Sequence, residues 1–585
     1  MAEERIIPTQ ATTDLPSFVV LADGEELSQE IAIHTITVER SVNKIPTATI
    51  EFFDGSVADE NFELSAGEQF IPGVELEIQA GYNNLVDPIF KGIIVKHGIQ
   101  TLTDEPSRLV VELKDIAVKM TVGRKNRYFD EDSLDSDIME TILGDYDVEP
   151  DVEATEVEHK EMVQYFISDW DFLLARAEAN GKLVFIDDGA ISIKAPDLSA
   201  EPLLNLFYGH NVFEFDATMD ARDQLAATKS NSWDFTGQEV SELEGADPGL
   251  EETGNLSATD LADVIGLETW PLQHSGKLTE PELQAWADNK LMRSRLAKVR
   301  GRVRIVGFSD IKPGDIIELG GFGDRFNGKA FVSGVLHQIT EGVPWYTDLT
   351  VGMDPCPYPK KYTDIIEEPA GGLVAPMDGI QYGVVTNIHE DPDGEFRVKV
   401  RIPIIDVENE GVWARVATLD AGDGRGTFFR PEVDDEVIVG FVNNDPRDPV
   451  ILGMVHSSAK PSPIEPAEEN NEKGIITRGE IKLLFDDDKI AVTIETPNGN
   501  KAVLSDDDGG ITLEDENGNK IIMNSDGITI ESAADINMKA SGDINIEGAN
   551  LNQKASQAFK AEGSSGAELS TSAQAVIKGG TVAIN

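Results

Sequence analysis

Between Gly527 and Lys554 the chain reads GITIESAADINMKASGDINIEGANLNQK. Ile528, Ile536 and Ile544 fall eight residues apart, and Ile530, Met538 and Ile546 repeat that spacing two residues later. An apolar–polar–apolar triplet is a short strand with one face to bury. Such strands need stacked neighbours or other chains, and an eight-residue period is too short for most single-chain solenoid coils. Three chains wound together supply the missing sides and remove the exposed edges. The spacing therefore predicts an intertwined trimeric β-helix whose shared interior is lined by Ile528, Ile530, Ile536, Met538, Ile544 and Ile546. An ordinary single-chain β-solenoid is the alternative. The period persists as Ala567, Ala575 and Ala583, with Leu569 and Ile577 alongside. Just upstream, PNGNKAVLSDDDGGITLE (497–514) and ENGNKIIMNSDGITIE (516–531) each read as strand, Asp/Gly turn, strand.

The rest of the chain is also β-leaning. With 585 residues it is too long for one core, and 52 glycines favour turns and strands. HTITVERSVNKIPTATIEFFD alternates apolar and polar residues around a turn at Asn43 to Pro46. Ser168 is placed to cap a helix through Ala177 that Asn180 and Gly181 close, with a strand starting at Lys182. Residues 236–279 are acidic and read as an exposed, loop-rich insertion, followed by a Lys/Arg-rich helix running to Gly301. Five or so strands between Gly383 and Val455 suit a small barrel of the OB type. The expected class is mainly β: a hub of two β-barrel subdomains with helical insertions (1–365), an OB-fold domain (366–460), a linker (461–480) and an octad-repeat needle (481–585).

Charge narrows the function. There are 107 acidic and 48 basic residues, a net charge of −59, which repels a phosphate backbone or an anionic membrane surface. Nucleic acid is not an expected partner, and the excess carboxylates read as a solvated exterior. Cys356 is the single cysteine, in keeping with a reducing compartment. Residues 1–20 lack the apolar core of a signal peptide, and no stretch approaches twenty apolar residues. The expectation is folding in a reducing compartment without a signal peptide, so that a machine must carry the protein if it reaches the outside.

Catalytic signatures are missing. There is no GxSxG, HExxH or GxxxxGK[ST], and the eight histidines form no HxH or HxxxH pair. Asp506–Gly509 reads as a hairpin turn and Asp130–Asp137 as an acidic helix cap, neither having EF-hand spacing. No catalytic residue, metal site or cofactor is expected. A paired-carboxylate depolymerase on the β-helix, as in a tailspike, is the alternative function, and the narrow octads argue against it.

The order of parts resembles one family. VQYFISDWDFLLARAEANGKLVF (163–185) looks like the hub signature of VgrG spike proteins of type VI secretion. IKPGDIIEL (311–319) and RFNGKAFVSGVLHQI (325–339) resemble the second hub barrel, and FRVKVRIP (396–403) with GTFFRPEVDDEVIVGFVNNDPRDPVILGMVHS (426–457) the OB pattern. The repeated NGNK opens the needle. The resemblance extends to fused phage tail hub and spike proteins and to extracellular, phage-tail-like injection particles. It implies the central spike of a contractile injection system: a homotrimer that caps the inner tube at the baseplate and is driven through a target membrane when the sheath contracts. There is no room for the lysozyme domain of some phage spikes, and no histidine follows His456 to build an apical iron site. Those departures imply a separate tip protein of the PAAR type, docking on Val582, Ala583, Ile584 and Asn585, and leave effector cargo as a further partner.

Overall fold

The computed structural model describes residues 16–249 and 253–584, so Asn585 lies outside the described residues. The chain divides into two units: residues 1–378 with 442–446, and residues 379–441 with 447–585.

The first unit is organised by a sheet of thirteen strands carrying two apolar cores. Its strands obey the period of two: in Thr47–Phe53, Ala48, Ile50 and Phe52 are buried and their neighbours are not. Strand Gly328–Thr340 serves both cores. It pairs with Ile33–Ser41, with Tyr346–Val351 and, at its start, with Ile316–Gly320. Asn43 takes φ +60 in the turn between Ile33–Ser41 and Thr47–Phe53. The turn at Pro313–Asp315 needs Gly314, whose φ is +105 and whose added Cβ would sit 2.8 Å from the Phe185 ring.

A third core packs helices Asp135–Leu143 and Asp169–Ala179 against strands Leu183–Asp187 and Ala190–Lys194. Ser168 caps the second helix, its hydroxyl accepting from the Asp171 amide at 3.1 Å.

Residues 236–279 are loop-rich, as their composition suggests, but they also carry two strands and a helix. Glu239–Glu244 and Trp270–His274 flank Thr228–Asp234 in a three-stranded sheet, and Ala258–Ile265 is a helix with a Ser257/Asp260 capping box. The buried face of this sheet carries hydroxyls instead of apolar side chains. Thr228 and Ser230 donate to the Ala287 and Leu283 carbonyls of helix Glu280–Leu296 at 2.9 and 2.8 Å. That helix stops at Leu296, not Gly301, because Val299–Val306 joins the large sheet.

In the second unit, strands Gln381–Asn387, Val398–Arg401, Val412–Val416, Pro449–Met454 and Glu436–Phe441 close into a five-stranded barrel, filled by Val385, Val398, Val400, Ala414, Val437 and Ile451. Residues 472–531 then form a seven-stranded antiparallel meander, and its first strand, Glu472–Ile476, falls within the stretch read as linker. Asp506–Gly509 is the hairpin turn between two of its strands, with Gly509 at φ +67. From 532 to 584 the chain is extended and exposed, with bends every seven or eight residues and no strand pairing of its own.

Candidate self-association surface

Every strand of the meander is five residues long and sends its second and fourth side chains to one face. The register lines them up. Leu483 lies opposite Ile494, Ile494 opposite Ala502, Ala502 opposite Leu513, Leu513 opposite Ile521, and Ile521 opposite Ile530. A parallel row runs through Phe485, Val492, Leu504, Ile511, Met523 and Ile528. Charges at the strand ends fix this alignment. Lys482 faces Glu495, Glu495 faces Lys501, Lys501 faces Glu514, Glu514 faces Lys520, and Lys520 faces Glu531. Opposite charges directly across a pair stabilise it by roughly 0.2–1 kcal/mol and a slipped register loses them.

The apolar rows are not buried within one chain. Ile528 is 71% exposed and Met538 70%, and Ile530, Ile536, Ile544 and Ile546 are each more than half exposed. Fully burying a side chain of this size is worth about 1.5–3 kcal/mol. A continuous apolar face of this length marks a surface that another chain covers. Val582 and Ile584 are also exposed, at 50% and 88%.

The stretch that carries the hub resemblance does structural work. The Asp169 carboxylate, buried, accepts from Gln164 Nε2 at 2.7 Å, Lys125 Nζ at 2.5 Å and the Tyr146 hydroxyl at 2.7 Å. Burial pushes this carboxyl up, but those donors together outweigh it and hold it below the usual range. Further along the same helix, Arg176 donates to both oxygens of Asp135 at 2.6 and 2.8 Å, and Asn180 and His159 complete the set at 2.8 and 2.9 Å. Asp135 is also held low against the upward push of burial. These side chains tie helices and strands together; sequence reasoning found the pattern but not these pairings, which join residues up to 45 positions apart. Across the same unit, buried Arg40 reaches Asp187 and, at 2.6 Å, Asp188, clamping strand Ile33–Ser41 to the tip of the Leu183–Lys194 hairpin. Among the described residues no group of three or more His, Cys, Asp or Glu side chains is placed to hold a metal ion.

The chain carries, in order, a β-rich hub, an OB barrel and a self-association surface. Family models match in the same order: the Alg8 N-terminal domain over residues 12–341, the type VI secretion system/phage-baseplate injector OB domain over 381–456, and the phage baseplate V C-terminal trimerisation domain over 491–552. The first match spans more than half of the 585 residues. The chain belongs to the Alg8 N-terminal domain family and is of the VgrG spike type.

Among curated relatives, it is 38% identical over 97 residues to the type VI secretion system spike protein VgrG4b of Pseudomonas aeruginosa, covering 15% of this chain and 12% of the relative. It is 37% identical over 75 residues to VgrG3 of Vibrio cholerae, covering 12% and 7%. The chain thus spans about one eighth or less of the length of these curated relatives. Among solved structures, a tail protein from Neisseria meningitidis aligns at 12% identity and TM-score 0.43, covering 59% of this chain and 99% of that one. A Francisella PdpA–VgrG complex aligns at 9% identity and TM-score 0.40, covering 89% and 80%.

Proposed function

We propose that this chain acts as a homotrimeric puncturing spike without enzymatic activity: its hub caps the inner tube at the baseplate, and its C-terminal needle is driven through a target membrane on contraction. The observation that carries the reading is the apolar face of residues 475–546, which one chain leaves in water and three chains would enclose. The trimerisation-domain match over 491–552 supports the same number of copies. Six or more apolar rungs per chain, each worth about 1.5–3 kcal/mol on burial, would give the stiffness a puncturing device needs. The interior of the needle is assigned to Ile528, Ile530, Ile536, Met538, Ile544 and Ile546.

A PAAR-type tip protein would cover the surface offered by Val582, Ala583, Ile584 and Asn585, a reading supported by the exposure of Ile584. Tube and baseplate proteins would meet the hub, and effector cargo would ride with the spike. Assembly would take place in the bacterial cytoplasm; no helix among the described residues is long and apolar enough to cross a membrane. The test is genetic and structural. Deleting the gene should abolish assembled sheath–tube particles or their killing activity, and the intact gene should restore both. Normal particles in the deletion strain would refute a central role, and reducing sugar released from peptidoglycan or capsule by the purified protein would favour a depolymerase.

A further inference from the structure

Beyond the meander, backbone bends mark off the chain into legs. They begin at Ala533, Ser541, Ala549, Ser556, Ser564, Ser572 and Gly580. Every step is eight residues except one: from Ala549 to Ser556 it is seven. In the eight-residue legs, the third and fifth residues after the first bend residue are the apolar or small pair: Ile536 and Met538, Ile544 and Ile546, Phe559 and Ala561, Ala567 and Leu569, Ala575 and Ile577. In the seven-residue leg those positions hold Asn552 and Lys554, while Leu551 and Gln553 sit one residue early. In either phase a polar side chain takes an inward position. The trimerisation-domain match also stops here, at residue 552.

We infer that this short polar leg, residues 549–555, sets the alignment of the three copies in the needle; the inference rests on the trimeric reading above. Repeats of identical length do not specify alignment, because one chain can loop out an octad at a bend and rejoin its partners eight residues later. The meander, with its charge ladder, aligns each chain only as far as Glu531. Beyond it, a single irregular leg distinguishes one height from the next.

When the three short legs share a height, their bends stay level and their amides meet one another. In a staggered trimer, one seven-residue leg lies against two eight-residue legs. The bends then fall out of level by one residue, about 3.3 Å, and alternate N–H and C=O groups lose partners. Gln553 or Asn552 of the displaced chain would face Ile544 and Ile546, and a polar group buried without a partner is strongly penalised. A lone polar core position fixes register in coiled coils by the same physics, at some cost in stability.

The test uses the full chain with Cys356→Ser. Two differently tagged versions, one with Leu569→Cys and one with Ile577→Cys, are co-expressed, purified as mixed oligomers and oxidised. In the natural repeat, links should join like positions, and links between 569 and 577 should be rare. A variant with one alanine inserted between Ala549 and Asn550, plus Gln553→Ile, restores an eight-residue apolar leg. It should remain trimeric, with links between 569 and 577 raised at least about fivefold, as register specificity is lost. Unchanged like-position linking in that variant overturns the proposal. So does loss of trimers in the variant alone, since a regular apolar leg should favour association. A monomeric mass for the parent chain would instead refute the trimeric reading on which the proposal stands.

Discussion

Ile521 and Ile530 are cross-strand partners in the last pair of the meander, and Ile530 remains more than half exposed although its neighbour is aligned beside it. A sheet that orders its apolar side chains so well without covering them is half of an interface. The octads that follow Ile530 continue the same demand.

Substitution within one octad separates inside from outside. Ile544→Asp would place three carboxylates around one axis, and buried unpaired charges cost on the order of 3–5 kcal/mol each. Oligomers of this variant should dissociate or fray, read by light scattering and by protease sensitivity of the C-terminal segment. Asn545→Asp, one residue away on the other face, should leave both readouts unchanged.

Removal of Val582 through Asn585 should leave the oligomer intact and abolish capture of a PAAR-type tip protein in a pull-down. Capture with unchanged affinity would place the docking surface elsewhere.

Stability of the hub should fall in mild acid. His337 is buried, its Nδ1 3.0 Å from the Thr347 hydroxyl, and burial with the nearby Arg40 charge lowers its pKa to about 3. The unfolded chain takes up this proton near pH 6.5, while the folded hub does not until about pH 3. The contribution is therefore whole above pH 6.5 and declines as pH falls toward 3, by at most about 1.4 kcal/mol per pH unit. Denaturant midpoints measured from pH 7 to 4 should show this slope in the parent and a shallower one in His337→Gln.

Much of the architecture is legible because it is carried by apolar alternation and turn chemistry. Thr47–Phe53, the Ser168 cap, the Asp506–Gly509 turn and the OB strands all announce themselves locally. The three-stranded sheet around Thr228 does not, because its buried face is made of Thr and Ser whose partners are helix carbonyls from 53 to 59 residues away. The rows of the needle surface are visible as octads, whereas Asp135 with Arg176, and Arg40 with Asp187 and Asp188, are polar pairings that tertiary structure alone creates.

The Asp135 cluster gives a sharper test of that last point. Asp135 is fully buried, and Arg176 supplies two of its hydrogen bonds. Arg176→Met removes the buried carboxylate's charged partner, leaving it only Asn180 and His159, and should destabilise the hub by up to about 3–5 kcal/mol. Adding Asp135→Leu should recover part of that loss in urea unfolding, because it removes the buried charge left without its Arg176 counter-ion.

The central claim is that three copies enclose the apolar face of the needle, and sedimentation equilibrium of the purified full chain tests it most directly. Three chains of 63.6 kDa give a particle of about 190 kDa, and a cooperative needle should hold that mass down to low micromolar concentration. A mass near that of one chain at the same concentration would contradict the account.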